Sequence, residues 1–300
     1  METNILLENG TNELEVLEFT LGENHYGINV AKVSEILAFQ HVTPIPNAHP
    51  SVEGVFMPRE LMITVVSLKN CIGMEMDDKK EGFFIITNFN KLNVAFHVDE
   101  VLGIHRLSWT DIITPDATIN APGSGVATGI TKIDNKLIVI LDFEKIVSDI
   151  NPETGLKVSD IDELKRDEKN RNDSPILIAE DSALLSKLIT ESLKKAGYTE
   201  LIVTKNGQEA WERLLQIKEA NRIGEEVKCV ITDIEMPIMD GHRLLKLIKE
   251  DSELAKLPVV IFSSLVNDAM RRKGEQLGAD AQLSKPEIGN LVSAIDKLLF

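Results

Sequence analysis

The chain has 300 residues, of which 43% are hydrophobic and 27% charged, and a formal net charge of -16. That length suggests about two domains, and an acidic chain without a basic stripe argues against nucleic acid as a partner, because phosphate neutralisation supplies most of that affinity. No apolar run approaches the roughly 20 residues of a bilayer span, so direct membrane insertion is not expected, and the acidic start lacks the basic opening of a secretory signal.

The first 150 residues hold 10 Lys and Arg against 21 Asp and Glu. Short alternating segments dominate them: "LEVLEFTL", "HYGINV", "LMITVVSL", "GFFIITNF", "KLNVAFHV", "GVATGITKI" and "KLIVILDF". Gly, Pro and Asn punctuate these runs, and short helical stretches such as "AKVSEILA" intervene, which predicts an all-β barrel arrangement. A faint repeat joins "GVFMPRELMITVVSL" (54–68) to "GITKIDNKLIVILDF" (129–143), each with a Gly, a polar turn and a closing apolar run. Two related small barrels in one domain would explain it. Cys71 has no partner at metal or redox spacing, and neither has Cys229; both read as free thiols in a reducing, cytoplasmic setting. The histidines of this half are scattered and form no metal spacing. Arg59, in the turn "PRE", is a candidate interface anchor.

Residues 151–174 are polar, mixed in charge and opened by Asn-Pro, and read as a linker. A short helix around "IDELKRDEK" is possible there, supported by Asp162 and Arg166 at i,i+4 spacing. From 175 onward apolar runs alternate with helical patterns: "ILIAE", "SALLSKLITESLKKAG", "LIVT", "GQEAWERLLQIKEA", "CVIT", "HRLLKLIKE", "PVVIF", "DAMRRKGEQLG", "AQLS" and "EIGNLVSAIDKLLF". Five βα units in succession predict a doubly wound parallel sheet covered by helices on both faces.

The ends of those runs carry chemistry. Glu180 and Asp181 close the first, Asp233 the third, Ser263 the fourth, and Lys285 the fifth, before a Pro that suits a helix start. In open α/β sheets the carboxyl edge is where ligands bind. Clustered carboxylates repel unless a hard cation such as Mg²⁺ sits among them. One of them can attack a phosphoryl group to give an acyl phosphate, with the cation, the Lys ammonium and the Ser hydroxyl holding the transferred oxygens.

Residues 175–300 resemble the response-regulator receiver domain, on the strand-end residues and on the spacing from Asp233 to Ser263 and from Ser263 to Lys285. The resemblance implies Asp233 as phospho-acceptor, with Glu180 and Asp181 as the acidic pair and Asp181 as the closer metal ligand. It also implies the backbone carbonyl of Glu235 in the Mg²⁺ shell, Ser263 as the hydroxyl that moves to the phosphoryl group, and Lys285 as its amine contact. The chain departs from that family in having Glu180 where Asp is commoner and Gln282 where an aromatic residue is usual. The stretch 216–228 is also longer.

Residues 11–150 resemble the CheW-like coupling domain, through "FTLGENHYGINVAKVSEIL", "TPIPNAHPSVEGVFMPRELMITVVSL", "VDEVLGIHRL" and "GVATGITKIDNKLIVILDFEKIV" in that order. There Arg59 is kept in a turn whose usual Gly is Glu60. The resemblance implies two five-stranded barrels that bind the cytoplasmic tips of chemoreceptors and the histidine kinase CheA. Together the two halves imply a cytoplasmic, array-associated adaptor rather than an enzyme, phosphorylated by the kinase, which changes coupling or acts as a phosphate sink. The rival from another class is an Asp-nucleophile phosphohydrolase of the haloacid dehalogenase type, which would place a second Asp where this chain has Glu235. A DNA-binding regulator would need a helix-turn-helix segment or basic surface that the sequence does not offer.

Overall fold

The computed structural model describes residues 12–74, 81–89, 92–115, 125–151, 171–264, 268–285 and 288–300. The proposed helix around Asp162 and Arg166, and Pro286, lie outside them. The chain divides into two compact units, one of Leu14–Thr154 and one that takes in Gly155–Phe300 and the residues up to Glu13. Among the described residues no helix is long and apolar enough to cross a membrane.

The first unit holds ten strands: β1 (Glu13–Leu21), β2 (Asn24–Asn29), β3 (Val33–Ala38), β4 (Val52–Phe56), β5 (Ile63–Ser67), β6 (Phe83–Phe89), β7 (Leu92–Val98), β8 (Glu100–Ser108), β9 (Ala127–Ile133) and β10 (Lys136–Leu141). They form two five-stranded sheets of matching order, β8-β1-β2-β10-β9 and β3-β6-β7-β5-β4. In each, an edge hairpin (β9–β10, β4–β5) lies parallel to one strand of a second hairpin (β1–β2, β6–β7). The fifth strand is exchanged: β3 follows β2 but joins the sheet of β6, and β8 follows β7 but joins the sheet of β1.

Each sheet closes on itself through one antiparallel bridge, Thr43 to Val55 and Ile113 to Ile130. The paired N–H to carbonyl distances there are 2.8 and 2.9 Å in both cases. The bridging positions Val55 and Ile130 belong to the two halves of the sequence repeat, as do Gly54 and Gly129 beside them. Those glycines let the closing segments approach. A Cβ on Gly54 would lie 2.1 Å from the Thr43 carbonyl oxygen, and one on Gly129 would lie 2.3 Å from Ile112. The repeat continues into the following helices. Ser67 and Asp142 are their N-caps, accepting from the backbone N–H of Asn70 and Lys145, and the next residues, Leu68 and Phe143, are fully buried.

Val33–Ala38 is a strand, whereas the sequence pattern of "AKVSEILA" predicted a helix; only Val30–Lys32 turns helically, as one 3-10 turn. Val33, Ile36 and Leu37 do have helical spacing, but the register with β6 shifts between Val33 and Glu35. Burial still alternates along the strand, but Glu35 is on the inner face and Ile36 on the outer one, so polarity does not follow the period of two. One core joins the two barrels: Leu17, Phe19 and Ile28 of one meet Ile85, Phe96 and Val66 of the other, with Phe143 edge-on to Phe96 at 4.6 Å.

The second unit is a parallel sheet of β11 (Ile176–Ala179), β12 (Leu201–Thr204), β13 (Cys229–Thr232), β14 (Val259–Ser263) and β15 (Ala281–Ser284), in the order β12-β11-β13-β14-β15. Helices Ala183–Ala196, Gly207–Glu219, Gly241–Glu250, Asp268–Leu277 and Ile288–Leu299 connect and cover it. β11, β13 and β14 are buried throughout, which is why they read as unbroken apolar runs. Ser182, Asn206 and Asp240 cap three helices, as their side-chain type favours. Arg171, at the end of the stretch read as a linker, is 4% exposed. Its guanidinium makes two hydrogen bonds to Asp296, at 3.0 and 2.6 Å, and one to the Ala196 carbonyl at 2.9 Å, and the Tyr198 hydroxyl donates to the same Asp296.

Candidate functional site

Strand order in the second unit reverses at β11, so the carboxyl ends of β11 and β13 flank a crevice that no crossover covers. Glu180 and Asp181 follow β11 there, and Asp233 follows β13. One carboxylate oxygen from each of the three lies within 4.8 Å of the others. Glu180 and Asp233 are buried while Asp181 is exposed, so the group is open on one side.

Lys285, immediately after β15, is 4% exposed. Its Nζ reaches Asp233 Oδ2 at 2.6 Å and Glu180 Oε2 at 2.9 Å. The second oxygen of Asp233 accepts from the backbone N–H of Ile234 at 2.6 Å, so both oxygens are occupied. Burial pushes the Glu180 carboxyl up, Lys285 pulls it back and Asp233 pushes it further, leaving it at about 7. Three carboxylates against one ammonium leave the crevice short of positive charge. The donor set is hard oxygen, and a divalent cation of Mg²⁺ type fits it.

Ser263 ends β14 and is 1% exposed; it pairs across the ladder with Ser284, next to Lys285. The Lys285 N–H donates to the Ser263 carbonyl at 3.2 Å, tying these two strand ends together. Glu235 is half-buried, two residues past Asp233 in the loop that leads to the cap Asp240. That loop folds tightly: a Cβ on Gly241 would lie 1.8 Å from the Asp233 carbonyl oxygen. The sequence reading thus named the residues that meet at this edge. It did not name Thr232, whose hydroxyl donates to the Asp233 carbonyl at 2.8 Å and whose only signal was its place before the acidic residue.

Arg59 lies in the first unit, in the 3-10 turn Pro58–Glu60 between β4 and β5, with its side chain 79% exposed. Its guanidinium meets Glu35 of β3 at 2.6 Å, a partner that linear order could not reveal because the two are neighbours only through the sheet. Met57, Leu61 and Met62, flanking the turn, are 65%, 49% and 64% exposed.

Comparison with known proteins gives two family matches: a CheW-like domain over residues 15–151 and a response regulator receiver domain over residues 176–296. The Helicobacter pylori chemotaxis protein CheV3 is 31% identical over 301 residues, covering 96% of this chain and 95% of its own. The chain belongs to the CheV chemotaxis proteins. CheV2 of the same organism is 30% identical, at 96% and 95% coverage. A CheW protein of Thermotoga maritima is 30% identical over 151 residues, which are 50% of this chain and 98% of that one. CheV proteins are adaptors of chemotaxis signalling that pair a coupling domain with a receiver, and this chain has that make-up. The comparisons lend nothing to the phosphohydrolase reading. Members of the CheW and CheV families couple receptors to the kinase CheA, and receiver domains typically bind Mg²⁺.

Proposed function

We propose that this CheV protein joins chemoreceptor tips to CheA through residues 11–150 and that phosphorylation of Asp233, in residues 175–300, regulates that coupling. It would work in the cytoplasm, on receptor arrays, with residues 151–174 as the connection. The observation that carries this reading is the ammonium of Lys285 held against Asp233 inside a buried carboxylate group. Glu180, Asp181 and Asp233, with the carbonyl of Glu235, would hold a Mg²⁺ ion, which supplies positive charge to phosphoryl oxygens when bound.

The residues' own part follows from their contacts. An Asp233 oxygen forms the new bond to phosphorus as the bond to the donor's histidine nitrogen breaks. Because Lys285 occupies Asp233 Oδ2 in the resting chain, its ammonium has to pass to a phosphoryl oxygen as the carboxylate loses its charge. That exchange replaces one charge-assisted hydrogen bond by another. The Ser263 hydroxyl, beside Lys285, supplies a neutral donor to the same group. Arg59 and the apolar residues beside it form the contact to a partner of the coupling unit.

The test is transfer of label from phosphorylated CheA to the purified chain in Mg²⁺. Wild type should gain an acid-stable, base-labile acyl phosphate, and Asp233→Asn should gain none. Equal labelling of both would sink the assignment.

A further inference from the structure

Gln282 stands in β15 where the receiver family is usually aromatic, and its side chain has a specific seat. Its Nε2 donates to the backbone carbonyl of Arg271, in the helix Asp268–Leu277, at 2.8 Å. Beneath it lies Gly274 of the same helix, which is buried although its neighbours Glu275 and Gln276 are exposed. A Cβ on Gly274 would fall 2.4 Å from Gln282 Oε1, 2.6 Å from Cδ and 2.9 Å from Nε2. The amide therefore lies flat in a notch that only glycine leaves open. Glycine weakens a helix interior, so its presence at this position has a packing reason, and Gln282 is that reason.

The lock bridges the two segments that lead to and from the site. Helix Asp268–Leu277 follows Ser263, while Gln282 precedes Ser284 and Lys285 on β15. A displacement of Ser263 toward a phosphoryl group on Asp233 pulls on the chain leading to that helix. The bond from Gln282 to the Arg271 carbonyl resists the pull, because it holds the helix's early turns to the strand. An aromatic side chain at this position could rotate away without breaking a hydrogen bond; Gln282 cannot. We propose that Gln282 and Gly274 form a polar lock that holds helix Asp268–Leu277 against β15 in the resting receiver and so opposes phosphorylation of Asp233. The role assigned to Asp233 is that of the preceding section, on which this proposal rests. By linkage, a contact that favours the resting arrangement must lower the tendency to accept phosphate.

The experiment compares full-length wild type, Gln282→Met, Gln282→Ala, Gly274→Ala and the Gln282→Ala/Gly274→Ala pair. Met keeps the length of Gln282 without its N–H, and the paired change removes the side chain that a Cβ at 274 would strike. Two quantities are read: amide exchange in helix Asp268–Leu277, and the rate of phosphorylation by acetyl phosphate in Mg²⁺. In that reaction the Asp233 oxygen–phosphorus bond forms as the acetate oxygen leaves. Gln282→Met should speed both by about fivefold, the worth of one net hydrogen bond. Gly274→Ala should speed phosphorylation alike, while the better helix propensity of Ala offsets its effect on exchange, and the paired change should add nothing to the effect of Gln282→Ala on phosphorylation. Faster exchange with an unchanged or slower phosphorylation rate would reduce Gln282 to a packing residue and overturn the proposal. Unchanged exchange in Gln282→Met, or additive effects on phosphorylation, would remove the lock altogether. If wild type takes no phosphate at Asp233 while exchange responds as expected, the lock stands and the assignment of Asp233 is what fails.

Discussion

The two barrels of the coupling unit share strand order, closing bridge and helix cap, yet they fill their equivalent positions with different chemistry. At the edge hairpin β9–β10 the two turn residues are Asp134 and Asn135, with φ of 47° and 64°. At β4–β5 the corresponding pair is Arg59 and Glu60, with φ of 52° and 69°. Asp and Asn tolerate the left-handed region comparatively well, whereas Arg and Glu do not. At equivalent positions, Glu53 and His97 of one barrel are replaced by Thr128 and Asn29 in the other. The turn of β4–β5 thus carries backbone strain and the ion pair of Arg59 with Glu35 where β9–β10 has Asp134 and Asn135, while both barrels expose an apolar side chain just after the turn, Met62 on one and Leu137 on the other. Strain of this kind persists where the surroundings impose it, and it clusters at functional surfaces.

The closing glycines give the largest expected difference between the barrels. Gly54 has a φ of 147°, and a Cβ there strikes the Thr43 backbone carbonyl, which belongs to the closing bridge itself. Gly129 meets side chains instead, Ile112 at 2.3 Å and Ile140 at 3.7 Å, with no backbone atom in the way. Gly54→Ala should cost about 3 kcal/mol and Gly129→Ala about 1 kcal/mol, the upper and lower ends for overpacking. Urea unfolding followed by Trp109 fluorescence, in a Trp211→Phe background, reads the coupling unit alone. Equal costs would mean that the barrels close by different means than the paired bridges.

His97 should give the barrel of β4–β5 a contribution to stability that depends on pH. Its Nδ1 lies 2.9 Å from Glu53 and its Nε2 2.9 Å from the Glu81 carbonyl, between the rings of Phe39 and Phe84. Both nitrogens meet acceptors, and only the imidazolium carries two N–H groups to satisfy them. Burial pulls the imidazole down, but the bonds to Glu53 and Glu81 and the charges of Glu53 and Asp99 outweigh it, so its pKa is raised above 6.5. A raised folded pKa stabilises fully below the unfolded value and loses that contribution as pH climbs through the folded one. Wild type should therefore exceed His97→Gln most at pH 5.5 to 6, by about 1–2 kcal/mol, and the gap should close above neutrality. The same titration of Asn29→Ala should be flat. A gap that widens with rising pH would reverse the assigned protonation state.

Much of the receiver could be read from the linear chain because parallel strands buried on both faces announce themselves, and each ends at the same edge. Glu180, Asp233, Ser263 and Lys285 needed only that inference to be brought together. The coupling unit hides more. The partners Glu35–Arg59 and Glu53–His97 lie on different segments of one sheet, 24 and 44 positions apart, and carry no local signal. The inward Glu35 and outward Ile36 masked the alternation of β3. Arg171 looked like one more charge in a polar stretch because its partner, Asp296, is 125 positions away. The repeat was visible as a Gly, a turn and an apolar run, but not why the Gly was needed, since Thr43 and Ile112 lie outside both copies.

The smallest predicted effect bears most directly on what the strained turn is for. Left-handed backbone costs a non-glycine residue about 1–2 kcal/mol, so Glu60→Gly should stabilise the coupling unit by about 1 kcal/mol. Asn135→Gly, at the matching position of the other barrel, should gain a few tenths of a kcal/mol at most. If Glu60 were an incidental departure, the glycine variant would be more stable and couple CheA to receptors as well as wild type does. If the Glu60 side chain or the stiffness of its turn helps to present Arg59, the variant gains stability and loses coupling while the Arg59 guanidinium keeps its partner Glu35. Measuring urea stability and receptor-stimulated kinase activity on the same two variants separates these cases. A gain in stability at Asn135 equal to that at Glu60 would show that the two turns are strained alike, and the contrast between the barrels would then rest on His97 and the closing glycines alone.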